Sequence, residues 1–70
     1  MHRKPVASSS VAAVGYDPDR LILEVEFHHG GVYQYLDIPK RVYWQFMSAP
    51  SLGAFLNQEI KGRYRVLGVE

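Results

Sequence analysis

The 70-residue chain contains no cysteine, which excludes disulfide staples, thiolate zinc sites and a cysteine nucleophile. Charge of one sign is also missing. Eight Lys and Arg against seven Asp and Glu leave a formal +1, so any contact with nucleic acid has to come from local clustering rather than a basic bulk. No apolar run approaches the ~20 residues of a membrane span. The segment after the basic residues 1–5 is broken by Ser8, Ser9 and Ser10, which makes a poor signal-peptide core, and a cytoplasmic protein is expected. Disorder is excluded in turn, because 47% of the residues are hydrophobic and 21% charged.

Length itself is short. A folded chain of this size exposes ~4,500 Å² against ~11,600 Å² unfolded. If about 60% of the difference is apolar, burial stabilises by ~105 kcal/mol at ~25 cal/mol/Å². Ordering the chain costs about the same, at ~1.5 kcal/mol per residue. No core residue is spare, and little room is left for an elaborate buried active site.

What is present divides into two halves. Residues 1–7 read as a flexible basic arm, residues 8–67 as one domain and residues 68–70 as a tail. Residues 8–16 are small or β-branched with weak alternation and read as a strand. Asp17-Pro18-Asp19-Arg20 is a turn, with Pro18 presetting φ and Asp17 placed to bond the backbone ahead of it. Residues 21–27 alternate cleanly: Leu21, Leu23, Val25 and Phe27 on one face, Ile22, Glu24 and Glu26 on the other. His28-His29-Gly30-Gly31 turns the chain into a third strand over residues 32–36.

The period then changes to that of a helix. Pro39 suits a first helical position, and Val42, Tyr43, Phe46 and Met47 form one apolar stripe. Ala49-Pro50 ends it. Ser51 is a helix cap for a second stripe of Leu52, Phe55, Leu56 and Ile60, stopped by Gly62. The fold class is α+β: an antiparallel three-stranded meander followed by two helices packed on one face, with a C-terminal edge strand available in residues 63–69.

Tyr33 and Tyr35 flank Gln34 and so share a face of the third strand. Four residues, His28 to Gly31, separate the apolar runs. An even loop makes opposing residue numbers sum to an odd value, which sets both tyrosines beside Ile22, Glu24 and Glu26, away from the core. A bulge at Gly30 or Gly31 reverses this and buries both. The even register is the simpler and is the expectation carried forward. An exposed tyrosine pair can stack on single-stranded nucleic acid, with phosphates gripped by Lys40, Arg41, Lys61, Arg63 and Arg65 and by Arg3 and Lys4 of the arm. Glu24 and Glu26 would oppose this, and tyrosines also serve simply to support a sheet.

Other constellations reduce to structure more readily than to chemistry. His28 and His29 lack a third ligand at a recognisable spacing and read as turn residues. Asp17 and Asp19 are explained by the turn between them. Ser51 is a cap before it is a nucleophile. Gly53 in a first helical turn points to close packing, for which a helix–helix elbow after Pro50 is the simplest account. Asn57 sits unfavourably in mid-helix and is a candidate contact residue. Trp44 falls off its stripe and marks the core edge or a contact surface. Tyr64 between Arg63 and Arg65 suits nucleic acid or a charge-protected edge strand. No metal or cofactor is expected.

In order along the chain, Ser8-Ser9-Ser10-Val11, Gly15-Tyr16-Asp17, residues 21–27, Gly30, Tyr33-Gln34-Tyr35, Ile38-Pro39, Tyr43, Ala49, Ser51, Gly53, Phe55, Asn57 and Ile60 resemble the KTSC domain. That short module is found at the C-terminus of some lysyl-tRNA synthetases and as stand-alone bacterial proteins, and the resemblance covers roughly residues 3–65. It implies a module of unassigned function, for which attachment to a synthetase suggests RNA binding. The positions it singles out are Tyr33, Tyr35, Ser51, Gly53, Phe55 and Asn57. Two expectations are carried forward: a non-enzymatic module for RNA or single-stranded nucleic acid, and alternatively a protein-interaction or self-association module with no nucleic-acid role.

Overall fold

The computed structural model describes residues 1–69; Glu70, the last residue of the expected tail, lies outside the described residues. Five strands, β1 (Lys4–Pro5), β2 (Val11–Asp17), β3 (Ile22–Phe27), β4 (Val32–Tyr35) and β5 (Val66–Gly68), form one antiparallel sheet in chain order. Helix α1 (Lys40–Met47) and the one-turn helix α2 (Leu52–Phe55) pack on one face. The class is the α+β expected. The sheet is wider than the meander: residues 1–7 add β1 at one edge, and the C-terminal edge strand available in residues 63–69 forms as β5 at the other. Residues 1–7 are therefore not a free arm. The total surface is 4439 Å², close to the ~4,500 Å² expected of a folded chain this long.

The turns follow their residues. Asp17 Oδ1 accepts from the backbone N–H of Asp19 at 3.0 Å and Arg20 at 3.2 Å. Leu21 then adopts a left-handed φ of 58° and closes the turn, so β3 starts one residue later than the alternation suggested. In β2 the register slips between Val11 and Ala13. That bulge lets Val11 and Val14, three apart, both face the core opposite Phe27 and Val25, which explains why the alternation there is weak.

Val42 and Phe46 of α1 are buried as the stripe required, with Pro39 at the cap rather than inside the helix. Tyr16 ties α1 to the sheet: its hydroxyl donates to the Ile38 carbonyl at 2.6 Å and its ring stacks on Tyr43 at 4.3 Å. Ser51 caps α2, its Oγ accepting from Ala54 N–H at 3.2 Å. The second helix does not continue regularly. It widens into a π-helical turn over Leu56–Ile60, closed by Lys61 N–H to Leu56 O at 2.8 Å, and Gly62 at φ 82° ends it. No helix among the described residues is long and apolar enough to cross a membrane.

The opposite face carries charge. Glu24, 4% exposed, accepts from Gln34 Nε2 at 2.8 Å and from Arg3 Nη1 at 2.5 Å. Arg3 also reaches Glu26 at 3.3 Å. The arm delivers Arg3 by crossing Gly15, where an added Cβ would lie 2.6 Å from the His2 carbonyl oxygen. A glycine inside a strand here marks close approach of another backbone. Burial works to raise the Glu24 carboxyl, but the hydrogen bonds from Gln34 and Arg3 outweigh it and hold it below its ordinary value.

Gly15→Ala is expected to cost about 1–3 kcal/mol in urea denaturation, since the clash is with backbone that must shift. A variant as stable as the parent would show that the arm does not dock there. Acid tests the same contact. A depressed carboxyl contributes stability that is complete above the unfolded value of about 4.3 and is lost as pH falls through the lower folded value. The parent should therefore lose stability below pH ~4.3 more steeply than Glu24→Gln, and parallel pH profiles would contradict the assignment.

Candidate functional site

The register of β3 against β4 decides where the tyrosines go. Phe27 N–H bonds to Gly31 O and Gly30 N–H bonds back to Phe27 O, both at 2.9 Å, with Gly30 at φ 109°. This is a three-residue hairpin loop, a tight turn followed by a residue of positive φ, for which glycine is the natural occupant. The pairs are Leu23 with Tyr35, Glu24 with Gln34 and Val25 with Tyr33. The expected even register is thus overturned, because Gly31 joins the strand ladder instead of the loop. Tyr33 and Tyr35 lie on the helix face beside Leu23, Val25 and Phe27. Tyr35 is 3% exposed and belongs to the core; burial raises its hydroxyl above the ordinary value, with the nearby Tyr33 adding to the effect. Tyr33 and Tyr35 therefore do not form a two-ring platform facing solvent.

Tyr33 is only half-buried, and its ring lies over two glycines. A Cβ on Gly31 would come within 2.8 Å of it, and one on Gly68, its neighbour in β5, within 3.5 Å. The ring meets Phe27 edge-on at 5.7 Å. His29 stacks on Phe27 at 5.2 Å, and Lys61 Nζ stands 5.5 Å from the centre of the same ring. Phe27 is thereby held under a cation and an imidazole. Around these rings lies a half-open hollow of about 310 Å³ whose lining includes Phe27, His29, Tyr33, Tyr35, Lys61 and Tyr64. A second hollow of about 200 Å³ adjoins it across Phe27, His29 and Lys61, and adds Ser10, Gly53 and Asn57.

Of the cations named from the sequence, only Lys61 lines either hollow. Lys40 and Arg41 are exposed in the first turn of α1. Arg63 is exposed without lining the hollows, and Arg65 is 3.6 Å from Asp37. Gly53 does not serve the helix–helix elbow: a Cβ there would lie 2.9 Å from Ser10 Oγ, so its role is to let α2 approach the serine segment before β2. Ser51 and Phe55 line a separate shallow hollow at the elbow. Trp44 is 65% exposed on α1, tilted against Tyr43 at 5.4 Å.

Phe27, His29 and Ser10 were not legible as site residues. Phe27 continued the core alternation, and His29 read as turn filler. The available signal was their i, i+2 spacing across a loop containing two glycines, which becomes a same-side contact once the loop has three residues. Ser8 organises the third: its Oγ accepts from Ser10 N–H at 3.2 Å and Val11 N–H at 3.1 Å, while His28 Nε2 lies 2.9 Å from Ser8 O. The serine run and the hairpin thus brace each other beside the hollow. The site is aromatic with a cation at its rim, a surface that holds a flat group and an adjacent negative charge.

The KTSC domain family model matches residues 7–64. A protein of Tsukamurella paurometabola is 38% identical over 66 residues, covering 94% of this chain and 98% of the relative. A lysine–tRNA ligase of Nostoc is 33% identical over 57 residues, covering 81% of this chain and 10% of the ligase. The crystal structure of a KTSC domain protein from Yersinia pestis superposes with a TM-score of 0.94 at 43% identity, covering 99% of this chain and 97% of that one.

Gly31→Ala probes the hollow without entering the core. The atoms nearest the new methyl would be the ring tips of Tyr33 and His29, which can swing aside. The fold should survive with a cost of no more than about 1 kcal/mol, while the Tyr33 and His29 ring resonances move in NMR spectra. Unmoved resonances would show that the two rings do not meet above Gly31.

Proposed function

This chain belongs to the KTSC domain family, and from that premise we propose a small non-enzymatic binding module for single-stranded RNA, acting in the cytoplasm. One unpaired base enters the aromatic hollow, and Lys61 takes the adjacent phosphate. The observation that carries the reading is the convergence of Tyr33, Tyr64 and His29 around a half-open hollow with Lys61 at its rim. Base stacking on tyrosine is tolerant of sequence because every base presents a π-face. Ser10 and Asn57 in the adjoining hollow supply polar partners for a sugar. Supporting it from outside the molecule, the Nostoc relative that shares this segment is named as an enzyme acting on tRNA.

The reading differs from an extended stacking platform in scale. One hollow with one rim cation holds one nucleotide, so binding is weak. With one phosphate neutralised by Lys61, log K should fall with log salt at a slope of about −0.7. Glu24 and Glu26 no longer oppose the ligand, because they occupy the other face.

An NMR titration with a short single-stranded RNA at low salt tests this. Shifts should concentrate on His29, Tyr33, Lys61 and Tyr64. Tyr33→Ala should weaken binding about tenfold, the loss of one stacked base at about 1–3 kcal/mol, and Lys61→Gln should lower the salt slope by about 0.7. Absence of shifts at those four residues would overturn the proposal.

A further inference from the structure

The two edges of the sheet are not alike. β1 presents Lys4 and Pro5, a charge and a residue with no N–H to give, which blocks pairing with another strand. β5 presents Val66, Leu67 and Gly68, followed by Val69, with no charge and no proline. Val66, Leu67 and Val69 are 48%, 52% and 42% exposed. Leu36 N–H bonds to Arg65 O and Val69 N–H to Val32 O, so the odd-numbered residues of this segment turn their backbone groups toward β4. By alternation the N–H and C=O of Val66 and Gly68 point outward, away from the sheet.

We propose that a second copy of this chain occupies that edge, β5 against β5 in antiparallel register about a two-fold axis perpendicular to the sheet. Such an axis keeps the helix faces of both copies on one side, so opposed residues must have the same parity. Among the described residues, the register that satisfies most outward groups places Val66 opposite the partner's Gly68 and Leu67 opposite itself. Val66 and Gly68 of each copy then exchange hydrogen bonds with their counterparts, four in all. Leu67 meets its own copy at the axis in a close, non-hydrogen-bonded pair on the face away from the helices.

Two details of the molecule fit this partner. Gly68 puts no side chain beside the Tyr33 ring, where a Cβ would meet it at an ordinary 3.5 Å, and the partner's Val66, delivered opposite Gly68 on the helix face, packs against that ring edge. Each copy thus completes the outer wall of the other's aromatic hollow, which Val66 also lines. Charge raises no obstacle: Arg65 faces the partner's Val69, and its guanidinium is directed to Asp37 of its own chain at 3.6 Å. One short strand per copy makes an interface at the small end of the specific range, so the dimer forms and dissociates with concentration.

Sedimentation of the intact chain without nucleic acid should show the mass rising from one chain toward two between about 10 μM and about 1 mM. Leu67→Lys sets two ammonium groups together at the axis and should hold the mass at one chain, with an unchanged far-UV spectrum. The absence of cysteine gives a second readout. Under mild oxidation Leu67→Cys should cross-link into a dimer. Val69→Cys should not, because those two positions would lie about 14 Å apart at ~3.4 Å per residue, beyond disulfide reach. A one-chain mass at the highest concentration, or equal cross-linking at the two positions, would overturn the proposal. The RNA titration is read at other residues and stands or falls separately.

Discussion

The turn from His28 to Gly30 sets the pairing of β3 with β4, and most of the molecule follows from it. With Gly30 at positive φ the loop closes in three residues, and Gly31 becomes the first rung of the ladder. Every side chain of β4 is assigned a face by that choice. Tyr35 goes into the core and Tyr33 to its edge, while Gln34 goes to the opposite face beside Glu24. One more residue in the loop would place Gln34 against the helices and Tyr35 in solvent. A core with no residue to spare could not absorb that exchange.

The two faces are stabilised by different means. The helix face is apolar, closed by Val42, Phe46, Leu52, Leu56 and Ile60. The other has no helix and instead holds a carboxylate satisfied by Gln34 and Arg3. A buried charge left without those partners would cost several kcal/mol, so the arm that carries Arg3 is part of the fold. Gly15 is what allows the arm to lie close enough. Polar coverage on one side frees both helices for the other, and the aromatic hollow lies on that helix face, lined by β4, β5 and the residues that follow the second helix.

Some of this is legible in particular residues. Asp17 and Pro18 determine a turn through local hydrogen bonding, Ser51 caps a helix, Gly62 ends one, and the stripe of Val42 and Phe46 faces inward. These depend on neighbours in sequence. The bulge between Val11 and Ala13, the π-helical turn at Leu56 and the docking of Lys4 and Pro5 do not. Each is an adjustment that lets one element fit another already in place. The site divides in the same way. Tyr33, Tyr64 and Lys61 stand out by type, whereas Phe27, His29 and Ser10 matter only through what they touch.

An α+β domain without staples is readable from the chain alone, because composition, periodicity and local turn chemistry act over a few residues. The resemblance to one family across nearly its whole length rests instead on the ordered set of residues that carries it. Packing settles that Tyr35 is core, that Glu24 is buried with a partner, and that Lys61 reaches Phe27 while Arg65 turns to Asp37. Strand faces have a period of two. A single residue gained or lost in a loop reverses them, and what resolves the choice is the packing of the whole sheet.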